Sequence, residues 1–357
     1  MTNTILDSRT EIAALDKSNM LGSIEALADQ VRHAWESVKQ LDMHVSGEIA
    51  NVVVSGMGGS ALGPDVIKHL FKDRMQVPFE IVNGYHLPAY VGEKTLVILS
   101  SYSGSTEETL SCAQEVVRTG AQVFVICAGG ELAEIAKKHN YPLYQIEPTH
   151  NPSNQPRMAI GYSIFGVMSM LAQAGLLPIT PEEVEEVITT IISVIERNTV
   201  EVAIADNQAK QLAYNTVGRR PVFFAAEFLQ GAVHVATNQH NENGKIFADY
   251  KVIPESNHHA MEGLPYPESL AATHVFIFFQ SDLYEAPIQL RISLTQEVAK
   301  RQSIDSYEVH LTAETKLTQV FELITLMSFA GFYIAMIEGI DPSPIPIVDW
   351  FKEQLKK

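Results

Sequence analysis

The sequence predicts an α/β protein with two doubly wound domains, in each of which helices flank a mostly parallel sheet. Three observations lead to this prediction. The chain has 357 residues, a length that suits two domains. Runs of Val, Ile, Leu and Phe alternate with helical patterns, as in parallel sheets that are covered on both faces. This alternation occurs once in each half of the chain, so we divide it into domains at residues 1–180 and 181–357.

The first half begins with a helical pattern over residues 9–43, where apolar residues recur at helical spacing. Five apolar strands follow, most of them separated by helical patterns. The predicted strands contain ANVVVSG, PFEIVN, TLVILSS, QVFVICAGG and PLYQIE, and the predicted helices contain ALGPDVIKHLFKD, SGSTEETLSCAQEVVRTG (which begins as a loop) and ELAEIAKKH.

The two halves are joined by a helix in PEEVEEVITTIISVIERN, where a first-turn proline and acidic residues favour the helix N-terminus. The second half then repeats the alternation of strands and helices. Its predicted strands contain PVFFAAE, YKVIPES, THVFIFFQ and YEVHL, and its predicted helices contain LQGAVHVATNQHN, PIQLRISLTQEVAKRQ and KLTQVFELITLMSFAGFYIAMIEG.

Two stretches have to be considered as membrane spans. They are the uncharged Met158–Thr180 and the apolar Leu323–Ile337. The first contains several Gly and Ser residues and lacks a flanking basic cluster, and the second is shorter than a span. We therefore predict two buried core helices and no membrane partner. Because a single chain could leave such stretches partly uncovered, they are also a reason to expect a second copy.

Composition and charge exclude some classes of function. The formal net charge is −17 and no Lys/Arg cluster occurs, which argues against a nucleic-acid partner but allows a small anionic ligand. Both cysteines, Cys112 and Cys127, fall in the first αβ region, where buried reduced thiols are expected. The first twenty residues lack the apolar region of a signal peptide, so we expect a cytoplasmic protein.

Two segments of the first half share one construction: an apolar strand, a turn rich in glycine and hydroxyl groups, and a helix. They are VVVSGMGGSALG at residues 52–63 and VILSSYSGSTEET at residues 97–109. Such turns place N–H groups and hydroxyls at a helix N-terminus, where an anion is favoured. Neither contains the P-loop or the dinucleotide-binding pattern. The alternative is a pair of tight connections, with Ser105 and Thr106 serving only as helix caps.

The two segments resemble the signatures of the sugar-isomerase (SIS) domain, and residues 40–357 resemble the bifunctional phosphoglucose/phosphomannose isomerase family. The resemblance implies two SIS-type domains, a homodimer, no cofactor, and an aldose–ketose isomerase that interconverts glucose 6-phosphate and mannose 6-phosphate with fructose 6-phosphate through an enediolate. The substrate and its phosphate are then bound by Gly58, Gly59, Ser60, Ser101, Ser103, Thr106 and Pro156.

Isomerisation of this kind needs a ring-opening donor, a base that moves a proton between C2 and C1, and a cation near the enediolate. Glu242, in the segment QHNEN, resembles the family's base at the end of a helix. His258, in the segment PESNH, resembles the histidine that opens the ring across a dimer interface. The following His259-Ala260 departs from the family, which usually has Asn-Glu there. A solvated glutamate and a surface histidine pair are the alternatives.

Two cations complete the predicted site. Arg157 resembles the family's Pro-Arg before the uncharged helix, which implies a role in stabilising the enediolate; an ion pair at an interface is the alternative. Lys352 resembles a lysine of the family's closing helix and is expected to assist ring opening or charge stabilisation, although a terminal lysine is usually solvated. No HExxH or Cys/His ligand spacing occurs, so we predict no metal.

Other functions remain open on the sequence alone. One is a narrower isomerase that uses only one of the two aldoses, because the choice between epimers depends on room near C2, or an isomerase for a different phosphosugar. Another is a non-catalytic sugar-phosphate-binding SIS protein, although the chain has no output segment such as a helix-turn-helix and retains the candidate base. A glutamine-dependent aminosugar synthase would need a nucleophilic cysteine, and Cys112 and Cys127 are misplaced for that role.

Overall fold

Nine parallel strands form two sheets in the computed structural model, which describes residues 5–355. The predicted fold class and all nine predicted strands are confirmed. The first sheet has the order β2-β1-β3-β4-β5, and the second has the order β7-β6-β8-β9. The strands are β1 Asn51–Ser55, β2 Phe79–Val82, β3 Thr95–Ser100, β4 Gln122–Cys127, β5 Leu143–Gln145, β6 Arg220–Ala226, β7 Asp249–Ile253, β8 His274–Ser281 and β9 Ser306–Leu311.

Fourteen α-helices surround the sheets within the described residues. They are α1 Arg9–Leu15, α2 Met20–Glu25, α3 Leu27–Lys39, α4 Gly59–Leu70, α5 Glu107–Val116, α6 Gly130–His139, α7 Ile160–Gln173, α8 Pro181–Asn198, α9 Gln208–Thr216, α10 Gln230–Glu242, α11 Leu270–Thr273, α12 Ala286–Arg301, α13 Lys316–Ile337 and α14 Pro346–Leu355. The short α9 has no counterpart among the predicted helices.

The single helix predicted over residues 9–43 is wrong, because the structure has α1, α2 and α3 in its place. The break between α1 and α2 is stabilised locally. The Asp16 carboxylate accepts hydrogen bonds from the N–H groups of Met20 and Leu21, at 2.8 and 2.9 Å. Asn19 adopts a left-handed conformation with φ of 58°. Helical periodicity in the sequence continues through this break, so the pattern alone does not reveal it.

The connecting helix α8 begins where its sequence predicts. The Thr180 hydroxyl accepts from the Glu183 N–H at 3.2 Å, and the Glu183 carboxylate accepts from the Thr180 N–H at 2.8 Å. This reciprocal pair is a capping box, which satisfies two N–H groups at the helix start. The domain boundary that we placed at this helix stays a prediction.

The two predicted core helices, α7 and α13, are buried. The helix α7 packs against α3 and α4, and α13 packs against α8, α9 and α10. Although α13 is long and apolar enough to cross a membrane, 94% of its apolar window lies inside the protein. Helices from both halves therefore share one core. Because one chain covers both stretches, they no longer support a second copy.

Each sheet has one point where the strand order reverses, and ligands of α/β proteins usually bind at the carboxyl ends of the strands there. In the second sheet this point lies between β6 and β8. The Tyr284 hydroxyl fills it and accepts from the Ala226 N–H at 3.1 Å, and the buried Phe228 ring lies 5.4 Å from the Tyr284 ring. In the first sheet the point lies between β1 and β3, where both glycine- and hydroxyl-rich turns emerge.

Candidate active site

The first turn connects β1 to α4 and contains Gly58, Gly59 and Ser60. Gly58 has a φ of 50°, in the left-handed region that favours glycine. A Cβ on the preceding Gly56 would lie 3.1 Å from the carbonyl oxygens of Ser100 and Ser60. Glycine thus lets the turn lie directly against the end of β3, beside the second turn.

The second turn connects β3 to α5 and contains Ser101, Ser103 and Thr106. The buried Ser101 hydroxyl lies 2.8 Å from the Thr106 hydroxyl and accepts from the Gly104 N–H at 3.1 Å. A Cβ on Gly104, where φ is 68°, would overlap the carbonyl oxygen of Gly129. Ser101 therefore shapes the turn from inside, while Ser103 is exposed.

The second turn also presents donors for an anion. The N–H groups of Ser103 and Thr106 make no hydrogen bond within the described chain, and the first N–H groups of α5 point the same way, as at any helix start. The Ser105 hydroxyl donates to the Ser103 hydroxyl at 3.0 Å. Ser105 was predicted only as a possible cap, and its exposure beside Ser103 adds a hydroxyl to the site.

Hydrogen bonds join the two turns into one unit. The Tyr102 N–H donates to the Ser60 hydroxyl at 2.9 Å, and the Ser100 hydroxyl donates to the Ser60 carbonyl at 2.9 Å. The Tyr102 hydroxyl accepts from the Asn151 side chain at 3.2 Å, in the loop that leads to Pro156. Tyr102 is a residue that sequence analysis missed, because its part in joining the loops depends on tertiary contacts.

The first turn brings Arg157 to the site. A Cβ on Gly59 would lie 3.1 Å from the carbonyl oxygen of Pro156, so the turn of Pro156–Met158 packs directly on the start of α4. The helix predicted from Met158 begins slightly later: a 3-10 turn spans Pro156–Met158, and α7 begins at Ile160. Arg157 follows Pro156 in that turn and is only 3% exposed.

The Arg157 guanidinium is surrounded by acceptors. Its Nε–H donates to Asn243 Oδ1, and one terminal nitrogen donates to Gln155 Oε1 at 2.9 Å. The same terminal nitrogen lies 3.6 Å from Glu242 Oε2. Burial lowers the pKa of Arg157, whereas the carboxylates of Glu242 and Asp349 raise it. Since an arginine remains charged near neutral pH, the site holds a buried cation beside a carboxylate.

Glu242 is the last residue of α10, as predicted, and its side chain is 35% exposed. Its neighbour His240 is fully buried and serves the packing of this helix. The His240 Nδ1 lies 2.7 Å from the Ala236 carbonyl, so Nδ1 carries the donated proton. Burial lowers the pKa of His240 to about 4, which keeps the ring neutral. Of the polar residues around Glu242, His240 is thus structural and Asn243 contacts Arg157.

Lys245 is a further cation beside Glu242, and sequence analysis missed it. Its Nζ donates to the Glu242 carbonyl at 2.7 Å and also to the Pro344 carbonyl. A lysine three residues after a candidate base has no distinguishing pattern in sequence. Only the return of the C-terminal segment to this corner of the molecule reveals the contact.

His258 lies apart from this cluster in the described chain. It ends a 3-10 turn, Glu255–His258, that follows the edge strand β7. His258 and His259 are both exposed, and neither makes a side-chain hydrogen bond among residues 5–355. The structure does not bring His258 together with Glu242 within one chain.

Lys352 lies on α14, which buries none of its described residues against the rest of the chain. Lys352 itself is exposed. The negative charge of Asp349, one turn earlier, nevertheless raises the pKa of Arg157, so this helix passes near the site. Of the predicted residues, the structure thus brings together the two turns, Pro156, Arg157 and Glu242, and leaves His258 and Lys352 on the surface.

The cysteines and the search for metal ligands add two observations. Cys112 and Cys127 are buried and unpaired by disulfides, and burial raises the pKa of Cys127 to about 11. The predicted burial of both thiols is therefore confirmed. Within residues 5–355 no group of three or more His, Cys, Asp or Glu residues is placed to hold a metal ion. Metal-independent chemistry stays a prediction.

Both halves of the chain match domains of known protein families. Residues 48–174 match the SIS domain, and residues 205–355 match the bacterial phospho-glucose isomerase C-terminal SIS domain. A protein of Caldicellulosiruptor bescii named bifunctional phosphoglucose/phosphomannose isomerase is 30% identical over 342 residues, 94% of this chain and 98% of that protein. A protein of Thermoplasma acidophilum with the same name is 26% identical over 312 residues, 87% of this chain and 91% of that protein.

A solved structure shares the fold. The crystal structure of a hypothetical protein from Thermus thermophilus superposes with a TM-score of 0.73, covering 94% of this chain and 89% of that chain. The two sequences are 16% identical, so this similarity shows the fold alone.

Proposed function

This chain belongs to the bifunctional phosphoglucose/phosphomannose isomerase family, and from that premise we propose that it interconverts glucose 6-phosphate and mannose 6-phosphate with fructose 6-phosphate. It is an aldose–ketose isomerase, for which no cofactor is needed. The observation that carries the assignment of the site is the position of Glu242, at the end of α10 and 3.6 Å from the buried Arg157.

The phosphate of the substrate is held by the two turns. Ser101 and Thr106 set the shape of the second turn, and Ser103 offers an exposed hydroxyl. The N–H groups of Ser103 and Thr106 and the start of α5 add donors and a positive dipole end. Gly58, Gly59, Ser60 and Pro156 form the adjoining wall. Anchoring of this kind holds the sugar in place without taking part in the chemistry.

Glu242 moves the proton. As a carboxylate it removes the proton from C2 of the open-chain aldose, which forms an enediolate, and then returns that proton to C1 to give the ketose. Reversal of these steps regenerates the aldose. Addition of the proton to one face of C2 yields the glucose epimer and to the other face the mannose epimer, so both aldoses share one enediolate.

Arg157 stabilises the negative charge of the enediolate. Its hydrogen bonds support a role exerted through charge and through the placement of Glu242, because protein acceptors already engage its Nε and both terminal nitrogens. A guanidinium held by several acceptors cannot rotate away, and so the cation stays beside the carboxylate.

His258 opens the sugar ring from a second copy of the chain, and the enzyme is a homodimer. Two observations support this proposal. His258 is exposed, and no hydrogen bond or ion pair joins it to Glu242 within residues 5–355. Large apolar side chains are also exposed at helical spacing on α12 and α14, and apolar side chains grouped on one face mark protein–protein contacts. These side chains are Leu290, Leu294, Ile347, Trp350, Phe351 and Leu355.

Lys352 assists ring opening or charge stabilisation in this proposal. The helix that carries it begins just after the segment that contacts Arg157, and Asp349 on the same helix acts electrostatically on Arg157. We place the enzyme in the cytoplasm, where its buried free thiols remain reduced.

Coupled assays with each of the three sugar phosphates test the proposal. Turnover in D₂O sharpens the test, because proton transfer through solvent-exchangeable Glu242 incorporates deuterium at C1 of the ketose and C2 of the aldose. A chain that turns over neither aldose would refute the proposal. The alternative of a non-catalytic sugar-phosphate-binding protein predicts binding without turnover.

A further inference from the structure

The segment 341–345, here called the C-terminal strap, crosses the end of α10 before α14 begins. Two cations bind three successive carbonyl groups of this strap. One terminal nitrogen of Arg157 donates to the carbonyls of Pro342 and Ser343, at 3.1 and 2.8 Å. The Lys245 Nζ donates to the carbonyl of Pro344. The strap therefore lies against the site through backbone oxygen atoms.

The strap depends on these donors because it forms no helix or strand of its own. Pro342 and Pro344 have no N–H group, so neither of them can donate a backbone hydrogen bond. Pro342 and Ser343 are nevertheless buried. Buried carbonyl groups without hydrogen bonds are costly, so the side chains of Arg157 and Lys245 replace the backbone partners that the strap lacks.

Lys245 also binds the helix that carries the base. Its Nζ donates to the Glu242 carbonyl at 2.7 Å, and this carbonyl is among the last four of α10, which have no partner within the helix. The Lys245 backbone has a φ of 53°, a left-handed conformation that turns the chain back over the helix end. One ammonium group thus joins Glu242 to the strap.

The charges around Lys245 are balanced. Burial lowers the pKa of Lys245, and the positive charge of Arg157 lowers it further, whereas Glu242 and Asp341 raise it. Two carboxylates therefore offset two cations at one corner of the molecule. This arrangement keeps Lys245 close to Arg157 although the two charges repel each other.

We propose that Lys245 is a positioning residue for the isomerisation, which ties the C-terminal strap to the backbone of Glu242 and so sets the distance between the base and α14. The proposal rests on the proposed function, because it assumes that Glu242 is the base. The Asp349 N–H donates to the Ile345 carbonyl at 3.0 Å, so α14 begins directly at the end of the strap. Displacement of the strap would displace the whole helix.

The test compares Lys245→Met, Lys245→Arg and the matched control Lys251→Met in the full-length enzyme. Lys251 is a partly exposed lysine of β7 that pairs only with Asp249 among the described residues, at 2.6 Å. With fructose 6-phosphate as substrate, we expect Lys245→Met to lower kcat by about tenfold to a hundredfold, as a small misplacement of catalytic groups does. KM should change less than about threefold, because no hydrogen bond in the described chain joins Lys245 to the phosphate turns.

A second readout is independent of substrate. Hydrogen exchange at the hydrogen-bonded amides of Ser343 and Asp349 should become at least about tenfold faster in Lys245→Met, because the strap opens locally. Lys245→Arg should recover most of kcat and of the protection, since its guanidinium can donate to both carbonyls. Lys251→Met should behave as wild type. If Lys245→Met does not fold, Lys245→Gln, which keeps one short donor, takes its place.

The outcomes separate the two proposals. Any of three results would overturn the role of Lys245. These are an unchanged kcat in Lys245→Met, an unchanged rate of hydrogen exchange in the strap, and a failure of Lys245→Arg to restore both kcat and protection from exchange. A wild-type chain without turnover on any of the three sugar phosphates would overturn the proposed function, and exchange of the strap would then still report whether Lys245 holds it.

Discussion

One oxygen of the Glu242 carboxylate lies 3.6 Å from a terminal nitrogen of Arg157, across the contact between the two halves of the chain. The glutamate ends α10 of the second half, and the arginine follows the loops of the first half. Arg157 is almost fully buried, and Glu242 is partly open to solvent. A fixed cation beside an accessible carboxylate is the arrangement that a base and an enediolate require.

Replacement of Glu242 by glutamine is expected to remove the base while keeping the shape of the side chain. We expect kcat to fall by about two to four orders of magnitude, the usual contribution of a positioned general base, with little change in binding of fructose 6-phosphate. Glu134→Gln, on the exposed face of α6, is the control. If Glu242→Gln keeps more than about a tenth of wild-type turnover, another group such as Glu255 or His258 is the base.

Replacement of Ser103 by alanine should weaken substrate binding more than it lowers kcat, which is the opposite of the effect expected for Glu242→Gln. The exposed hydroxyl offers one hydrogen bond to a charged phosphate, which is worth about 1.5–3 kcal/mol, so KM should rise by roughly tenfold or more while kcat changes little. Steady-state kinetics measures this split. Ser293→Ala, which removes an exposed hydroxyl of α12, is the matched control. A loss confined to kcat would place Ser103 in the chemistry instead.

Replacement of Arg157 by lysine keeps the charge and removes the planar fork. Lysine cannot reach Asn243 and both strap carbonyls together, so buried acceptors lose their donors. We expect a loss of about 1–3 kcal/mol in the free energy of unfolding and a lower kcat. Urea unfolding and kinetics measure the two effects. Arg74→Lys, which alters a partly exposed pair with Glu183, should leave kcat within about twofold of wild type.

The burial of His240 predicts a pH dependence of stability. Its pKa is about 4 in the folded chain and near 6.5 when unfolded, because burial disfavours the charged ring. The unfolded state therefore binds a proton between these values that the folded state excludes. Stability is complete above about pH 6.5 and falls as the pH drops towards 4, by about 3 kcal/mol in total from this group.

Urea midpoints measured between about pH 7.5 and 4.5 test the role of His240. His240→Asn, which keeps a side-chain donor, should flatten the decline, whereas His44→Asn on the surface should not. Parallel profiles for wild type and His240→Asn would show that other groups cause the acid sensitivity.

A mixture of two inactive variants tests whether His258 completes the site of a second copy. Glu242→Gln and His258→Ala are each expected to be nearly inactive as homodimers. Unfolding and refolding them together in equal amounts should produce heterodimers with one intact site each, and so about a quarter of wild-type activity. Activity that stays at the level of the separate variants, although heterodimers are present, would place His258 and Glu242 of one chain in the same site.

The fold was predictable from local patterns because each strand is a continuous apolar run and most helices carry their own periodicity. All nine strands were found in this way, and the start of α8 followed from its first-turn proline and acidic residues. The break between α1 and α2 was missed because it depends on one carboxylate, that of Asp16, which binds two amides ahead of it.

The residues alone predict that the chain has two α/β halves, where the two glycine- and hydroxyl-rich turns lie, and that Glu242 ends a helix. These features follow from turn chemistry and from periodicities of a few residues. The folded chain was needed to reveal that Arg157 lies beside Glu242, that Lys245 binds the C-terminal strap, and that His240 is buried and structural. The first two features are contacts between residues that are far apart in the chain, and the third is burial. The residues next to each position in the sequence do not reveal such features.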